Sequence, residues 1–329
     1  MSAPRVVVIG CGNLSQRQHL PSLAQLQRMK RCVFAAVCDL NGDLAAAAAK
    51  KFGARAAYTD IDTMLREAKP DGVAVIVPVV ATAAVAGAIL RKGYPTILEK
   101  PPGHSAAACK SLIRSAQAGR AKHMVAFNRR FCPPLVQGRA EVLKRGAIKG
   151  ASGLMYRNRR HDPDFWSTAI HSIDALRFLG GDVDRVIVDK RRLRGDQRHA
   201  FTLIFEYANG GVGTLNVRPE AGVSIERYEI FGAECVALVR SGVGWLIDQP
   251  GFCDLYECGK AVQLPDPFKP FARFPKALSD PVNGGFFGEE AAFVEALRTG
   301  KWSGPTVAES LASVEIALAM QAGRSWRRR

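Results

Sequence analysis

The first 125 residues alternate short apolar runs with longer stretches of helical composition. Four runs rich in β-branched residues show no polar alternation, which is typical of strands in a parallel sheet covered on both faces. These runs span residues 6–9, 33–37, 73–77 and 96–98. The helical stretches span residues 14–30, 44–52, 63–68, 83–92 and 106–118. The repeated strand–helix–strand order predicts a doubly wound parallel sheet, and we assign residues 1–122 to this first domain.

Beyond residue 150, polar and apolar positions alternate with the period of exposed strands. Strands are predicted over 153–161, 185–191, 200–207, 212–218, 225–231 and 236–240. One helix is predicted over 168–179, five prolines predict a long loop over 262–285, and two helices follow over 286–297 and 306–321. Thr306 and Glu309 have capping-box spacing at the start of the last helix. Residues 123–329 are thus expected to form an α+β domain with an open, mainly antiparallel sheet, whose last helix can pack on the first domain.

Composition narrows the class of protein. A chain of 329 residues with 47% hydrophobic side chains has room for two cores, which excludes disordered and coiled-coil proteins. The excess of 46 basic over 30 acidic residues gives a net charge of +16 and attracts anions. Aromatic residues are not interleaved among the basic ones as they are in single-strand-binding modules, so we expect no nucleic-acid partner.

Cysteines and apolar runs indicate the compartment. The eight cysteines are dispersed, with neither C-x-x-C spacing nor a nearby histidine, so we expect reduced thiols and no metal site. Residues 73–90 carry no charge, but Pro78 and many alanines favour a buried strand followed by a helix over a membrane span. No charged segment precedes an apolar one near Met1. These features predict a cytoplasmic protein with no membrane contact.

A glycine-rich turn follows the first predicted strand and opens a helix. Gly10 and Gly12 suit a tight turn that lets the backbone approach a pyrophosphate, although Ser15 stands where the dinucleotide fingerprint has glycine or alanine. Asp39 ends the second strand, where a carboxylate accepts hydrogen bonds from ribose hydroxyls and repels a 2′-phosphate. NAD is therefore predicted in preference to NADP, with NADP still open. The alternative for Asp39 is a cap on the helix near Leu44.

Further motifs bring the sequence close to a known family. His19 and Pro21 follow the glycine turn, and Glu99, Lys100 and Pro101 end the fourth predicted strand. With the segments 126–131 and 171–174, these motifs occur in family order, and the whole chain resembles the Gfo/Idh/MocA oxidoreductases. The resemblance implies a Rossmann dinucleotide-binding domain and an NAD(P)-dependent dehydrogenase acting on sugars, polyols or their derivatives. It also implies a homo-oligomer, either dimer or tetramer, and a cis bond before Pro101.

The resemblance assigns roles to residues of this chain. Lys100 lies beside nicotinamide and substrate, where an ammonium stabilises charge on the reacting oxygen. His171 is the acid/base that takes the hydroxyl proton, and an imidazole titrates near neutrality in both directions. The residues expected to bind the cofactor are Gly10, Gly12, Asn13, Leu14, Asp39, Pro78, Glu99, Lys100 and Asn128.

Two positions depart from the family pattern. Ser167 stands four residues before His171, where inositol-dehydrogenase-like members have aspartate, and it is predicted to cap the helix. The carboxylate partner of His171 must then be one of three residues, Asp162, Asp164 or Asp174, or His171 is a weaker base. The second departure is the segment 81–83, Ala-Thr-Ala, where the family often places a histidine near the cofactor.

Basic residues cluster near the expected substrate site. Strand periodicity puts Arg157, Arg159 and His161 on one face, with Arg129 and Arg130 ending another segment. Arg129, Arg157 and His161 are therefore candidate substrate-binding residues, together with Asp174, which lies three positions after His171 on one face of the predicted helix. An anionic sugar derivative and a merely solvated sheet face both explain this charge. Two alternatives to an enzyme also remain open: a non-catalytic NAD(P)-binding regulator and an anion- or nucleic-acid-binding protein.

Overall fold

A computed structural model describes residues 2–161, 165–243 and 246–328. The chain divides into two compact units. The first contains residues 1–127 and 286–311, and the second contains residues 128–285 and 312–329.

The first unit is built on a six-stranded parallel sheet. Its strands are β1 (Arg5–Ile9), β2 (Val33–Cys38), β3 (Ala56–Tyr58), β4 (Gly72–Val75), β5 (Thr96–Glu99) and β6 (His123–Ala126). They lie in the order β3-β2-β1-β4-β5-β6, and all neighbours are parallel. Val6, Val7 and Val8 are fully buried, as expected for a strand covered on both faces. The predicted doubly wound fold is confirmed.

Helices connect these strands. They are α1 (Leu20–Arg28), α2 (Gly42–Phe52), α3 (Ile61–Ala68), α4 (Val79–Arg91) and α5 (Ala106–Gly119), joined late in the chain by α9 (Phe286–Thr299). Asn41, Asp60 and Ser105 cap α2, α3 and α5 through their side chains. The strand β4 and helix α4 together account for the uncharged residues 73–90. No helix among the described residues is long and apolar enough to cross a membrane.

The boundary of the first unit differs from the one predicted after residue 122. β6 pairs in parallel with β5 and completes the sheet, so the division falls after Phe127. Helix α9 belongs entirely to this unit, with Phe293 and Leu297 packed against the backbone at Gly72. The last helix, α10 (Val307–Ala322), is divided between the units at Leu311. β3 and β6 were not predicted, because neither Ala-Ala-Tyr nor His-Met-Val-Ala contains a run of β-branched residues.

The second unit contains a nine-stranded, mainly antiparallel sheet. Its strands are β7 (Gly150–Tyr156), β8 (Val183–Arg192), β9 (His199–Tyr207), β10 (Val212–Arg218), β11 (Ile225–Phe231), β12 (Cys235–Ser241), β13 (Gly251–Glu257), β14 (Lys260–Val262) and β15 (Trp326–Arg327). The order is β14-β13-β12-β11-β7-β10-β9-β8-β15, and only β7 and β10 among these neighbours run parallel. The α+β prediction is confirmed.

Helices α6 (Pro133–Arg145) and α7 (Trp166–Gly180) pack on this sheet. Gly138 of α6 lies against Val239 and Cys253, and Gly180 of α7 lies against the ring of Tyr207. A short helix, α8 (Ser279–Asn283), and two 3₁₀ turns interrupt the predicted loop over 262–285.

Two local predictions in the second half of the chain have clear outcomes. The capping box is confirmed, because Thr306 Oγ1 accepts from the Glu309 N–H at 3.2 Å and Glu309 accepts from the Thr306 N–H at 2.7 Å. The strand predicted over 153–161 is wrong beyond Tyr156, where β7 ends.

Candidate active site

The glycine-rich turn has the geometry that a pyrophosphate requires. Gly10 has a φ of +98°, and a Cβ there would lie 2.0 Å from the carbonyl oxygen of Ile76. A Cβ at Gly12 would meet nothing within 4 Å, so open space lies beside this backbone. Asn13 and Leu14 begin the following helix and are exposed, and Ser15–His19 form a π-helical turn. A helix start beside open space at a strand end suits a phosphate group.

Asp39 supports this turn from the end of β2. Its carboxylate accepts the backbone N–H of Cys11 at 2.7 Å and that of Asn41 at 3.0 Å. The alternative role of capping α2 falls to Asn41, whose side chain accepts the N–H of Leu44 at 3.0 Å. Asp39 thus contacts the glycine turn through its carboxylate, and its role as a ribose ligand stays a prediction.

The Cys11 thiol, between the two glycines, is a poor nucleophile. Burial and the charge of Asp39 raise the pKa of Cys11 to about 12. All eight cysteines are free, and only Cys258 is exposed. The turn therefore offers its backbone and not a nucleophile.

Lys100 follows β5 at the carboxyl end of the sheet, where doubly wound folds bind ligands. Its side chain is half-buried, and the bond before Pro101 is cis, as the resemblance implied. Glu99 accepts the backbone N–H of Lys100 at 2.9 Å and is only 5% exposed. Pro78, another predicted cofactor residue, precedes α4 at the end of the neighbouring strand β4 and is exposed.

His19, which the sequence motifs gave no role, is a buried histidine in contact with Glu99 at the end of β5. His19 is fully buried, with Nε2 2.9 Å from Glu99 and Nδ1 2.8 Å from Glu290 on α9. Burial by itself would lower the pKa of His19, but the hydrogen bonds to Glu290 and Glu99 raise it to about 10. Sequence spacing gave no signal for this group, because Glu290 lies 271 positions away.

One group among the described residues has the chemistry of a metal site, although none was predicted. His19, Glu99 and Glu289 each offer a ligand atom, and these atoms lie within 4.8 Å of one another. Both ring nitrogens of His19 already lie at hydrogen-bonding distance from carboxylates. A cation would have to displace a proton from this imidazole.

The second unit places Arg129 and Arg157 differently from the prediction. Arg129 is 3% exposed and forms two hydrogen bonds with Glu226, of 2.9 and 2.7 Å. Arg157 is fully buried just beyond β7 and pairs with the same carboxylate. Burial by itself would raise the pKa of Glu226, but the two guanidinium groups lower it to about 2. These arginines therefore hold a buried glutamate and do not form the exposed anion site expected of a strand face.

Other predicted substrate and cofactor residues in this unit are also placed elsewhere. His161 is exposed and lies beyond the end of β7, and Arg159 has a φ of +52°, so no strand face unites them with Arg157. Asn128 is fully buried and donates its amide to the carbonyl of Gly284 at 2.7 Å. This contact gives Asn128 an internal bracing role in place of the predicted cofactor contact.

The helix α7 carries His171 in a half-buried position. Asp174, one turn later, is fully buried and accepts two hydrogen bonds from Arg130, of 2.7 and 2.9 Å, and a third from Ser313 at 2.9 Å. Asp174 is thus a structural anchor for Arg130 in place of the predicted substrate ligand. The other two candidate partners of His171, Asp162 and Asp164, lie outside the described residues.

Ser167 is the second residue of α7, not its cap. The helix begins at Trp166, and Phe165 holds the cap position without a side-chain hydrogen bond. Thr82, in the second departing segment, lies in the first turns of α4, where its hydroxyl donates to the Pro78 carbonyl at 3.3 Å. Ser167 and the segment 81–83 thus supply neither a carboxylate nor an imidazole at the two positions that depart from the family pattern.

A doubly wound sheet with a glycine turn at β1, a carboxylate at the end of β2 and a lysine at the end of β5 defines an NAD-binding oxidoreductase. The chain belongs to the Gfo/Idh/MocA family. Residues 4–127 match the family described as "Oxidoreductase family, NAD-binding Rossmann fold", and residues 106–237 match the GFO/IDH/MocA C-terminal domain.

The chain is similar to two dehydrogenases and to one further oxidoreductase. Inositol 2-dehydrogenase 2 from Saccharopolyspora erythraea is 30% identical over 68% of this chain and 70% of its own length. The structure of levoglucosan dehydrogenase with NADH and L-sorbose has a TM-score of 0.79 at 18% identity, covering 99% of both chains. An oxidoreductase from Agrobacterium radiobacter, in complex with NAD⁺, L-tartaric acid and magnesium, has a TM-score of 0.78 at 18% identity, covering 99% of this chain and 98% of its own.

Proposed function

We propose that this protein transfers a hydride between NAD and a hydroxyl or carbonyl carbon of a sugar, polyol or related compound. The observation that carries the proposal is the position of Lys100 at the carboxyl end of β5, in the same sheet as the glycine turn and Asp39. NAD supplies the hydride acceptor when it is bound. The similarity to inositol 2-dehydrogenase supports the substrate class.

In this proposal two side chains carry the proton chemistry. Lys100 donates a hydrogen bond to the reacting oxygen and stabilises the negative charge that develops there. His171 takes the hydroxyl proton as the hydride leaves the same carbon, and returns it in the reverse direction. Gly10 and Gly12 give the pyrophosphate access to the backbone, and Asp39 accepts hydrogen bonds from the ribose.

The substrate that we propose is neutral. Among the basic residues behind the anionic alternative, Arg129 and Arg157 already pair with Glu226 and Arg130 with Asp174. Arg159 and His161 lie beyond the end of β7. Breaking such buried pairs to bind a substrate anion would leave an unpaired buried charge, which is strongly unfavourable.

A panel of substrates tests this proposal. The purified protein is incubated with NAD⁺ and either neutral compounds, such as myo-inositol and aldoses, or the corresponding sugar acids, and NADH formation is followed by absorbance. We expect turnover with members of the neutral group. Turnover confined to the acids would contradict the neutral substrate, and NADH binding without turnover of either group would favour the regulator described below.

The cofactor preference gives a separate prediction. We expect NADH to bind more tightly than NADPH, because the Asp39 carboxylate repels a 2′-phosphate. Asp39→Ala should narrow the difference, and Asp43→Ala, an exposed carboxylate in the first turn of α2, serves as the control. Titration of both cofactors by fluorescence measures the two dissociation constants. Equal or tighter binding of NADPH by the wild-type protein would contradict the prediction.

The position of Ser167 on α7 gives a prediction on pH. During oxidation His171 must begin neutral, so kcat/KM should rise with pH through the imidazole pKa. A carboxylate one turn before His171 favours the imidazolium, so Ser167→Asp should move this rise to higher pH. Early in a helix an aspartate also suits the helix dipole, and Ser167→Asn controls for the change in shape. An unchanged profile in Ser167→Asp would mean that another carboxylate already serves His171.

A second function has one observation in its favour. Asp174, the carboxylate nearest to His171 along α7, is fully occupied by Arg130 and Ser313. With Asp174 engaged in this way, a regulator of the same fold, which binds NAD and responds to a ligand without converting it, is the second candidate function. Binding of a sugar that changes NADH fluorescence with no turnover would support this function.

A further inference from the structure

A continuous buried chain of polar groups joins helix α9 to the backbone of Lys100. Glu290 faces Nδ1 of His19, Glu99 faces Nε2, and the second carboxylate oxygen of Glu99 accepts the backbone N–H of Lys100. The three distances are 2.8, 2.9 and 2.9 Å. His19 and Glu290 are fully buried and Glu99 is nearly so, which makes water a poor substitute for any member of the chain.

The charges around His19 make the histidine the critical member. Glu99 on β5 and Glu290 and Glu289 on α9 bring three buried carboxylates together. Burial and the charge of Glu290 raise the pKa of the Cys32 thiol to about 12. His19 lies between Glu99 and Glu290 and carries a positive charge when protonated. Without it, Glu99 would be a buried carboxylate facing like charge, and its hydrogen bond to Lys100 would weaken.

The place of His19 along the chain adds to this argument. It ends the π-helical turn Ser15–His19 that follows the glycine motif, and π turns occur frequently at functional sites. The segment that receives the pyrophosphate is thereby fixed directly to the strand that carries Lys100. Phe286 packs edge-on against the imidazole at 5.4 Å and holds the ring plane.

We propose that His19 is a positioning residue for Lys100: held between Glu290 and Glu99, it keeps Glu99 on the backbone N–H of Lys100 and so sets the place of the reactive amine. His19 touches neither substrate nor cofactor and acts through Glu99. The role of Lys100 in turnover rests on the proposed function, whereas the position of its amine does not.

The test uses a pair of variants that break and then restore the chain. In His19→Gln the amide can donate to Glu99, but its carbonyl then faces the Glu290 carboxylate, which is acceptor against acceptor. Adding Glu290→Gln supplies a donor for that carbonyl and restores a continuous chain in which Glu99 is the one remaining carboxylate. Glu295→Gln is the matched control, since Glu295 is a half-buried carboxylate later on the same helix that pairs with Arg31 and Arg298.

We expect His19→Gln to lower kcat on a neutral polyol by about 10²-fold with KM and NADH affinity nearly unchanged, as for a displaced catalytic group. The double variant should recover most of the lost kcat, and the kcat of Glu295→Gln should equal that of the wild type. A kcat equal to wild type in His19→Gln would overturn the proposal. So would a double variant that is no better than the single one although circular dichroism shows both folded.

A second readout needs no substrate. Acetylation of lysines by an N-hydroxysuccinimide ester, followed by peptide mass spectrometry, compares the labelling rate of Lys100 with that of the exposed Lys301. We expect the ratio of the two labelling rates to change by at least about twofold in His19→Gln, because the end of the strand loosens locally. In the double variant the ratio should return to the wild-type value. This result would stand even if no polyol were oxidised, which separates it from the proposed function. An unchanged ratio, or a stoichiometric divalent metal lost from His19→Gln by elemental analysis, would overturn the positioning role.

Discussion

Replacing Lys100 by alanine is expected to lower kcat by about 10²–10⁴-fold while NADH affinity stays close to that of the wild type. A hydrogen-bond donor placed where negative charge develops contributes mainly to the transition state, so its loss appears in kcat and only weakly in cofactor binding. The loss corresponds to about 3–5 kcal/mol of activation free energy. Steady-state kinetics on a neutral polyol and titration with NADH measure the two quantities.

The control for this variant lies in the same unit. Lys301 is an exposed residue between α9 and α10, and Lys301→Ala should leave kcat unchanged. Lys100→Arg keeps the charge but changes the donor geometry, so it should recover only part of the activity. Turnover of Lys100→Ala at the wild-type rate would show that another group stabilises the reacting oxygen.

Replacing His171 by alanine should also reduce kcat, by about 10²–10⁴-fold, because a positioned general base typically contributes that much. The loss should be smallest at high pH, where hydroxide and solvent accept the proton more readily. NADH affinity should remain nearly unchanged. Stopped-flow measurement of hydride transfer across pH separates the chemical step from product release.

His199→Ala provides the comparison within the second unit, since His199 is a half-buried histidine at the start of β9. The variant should behave as the wild type. If His171→Ala retained full turnover with a wild-type pH profile, the acid/base assignment would be wrong and the regulator would become the stronger candidate.

Local sequence determined the doubly wound unit because its signals are local. Uninterrupted β-branched runs such as 6–9 belong in strands covered on both faces, and helices between them close the crossover connections. The glycine turn, Asp39 and Lys100 each end a strand, and parallel strands bring their carboxyl ends to one sheet edge. The capping box at Thr306 needs only four consecutive residues, and the structure confirms it.

Tertiary structure decided which charged side chains are available for chemistry. The two-residue period grouped Arg157 with His161, but β7 ends at Tyr156. In the core, Arg157 pairs with Glu226, 69 positions away along the chain. A buried guanidinium is stable only beside a carboxylate, and the identity of that carboxylate depends on strand pairing between β7 and β11. Asp174 is similar, since its partners Arg130 and Ser313 come from distant segments.

The sequence by itself therefore determined most of the strands and helices, the glycine turn and the lysine at the ligand edge, since each depends on neighbours within a few residues. It did not predict β3, β6, β13 or α6. Only the tertiary structure decided that residues 286–311 complete the first unit and that His19 lies between Glu99 and Glu290. The physical reason is that a buried ionised group is stable only beside a partner, and that partner can come from any part of the chain that the fold brings close. His19 and Glu290 are 271 positions apart, so no sequence periodicity relates them.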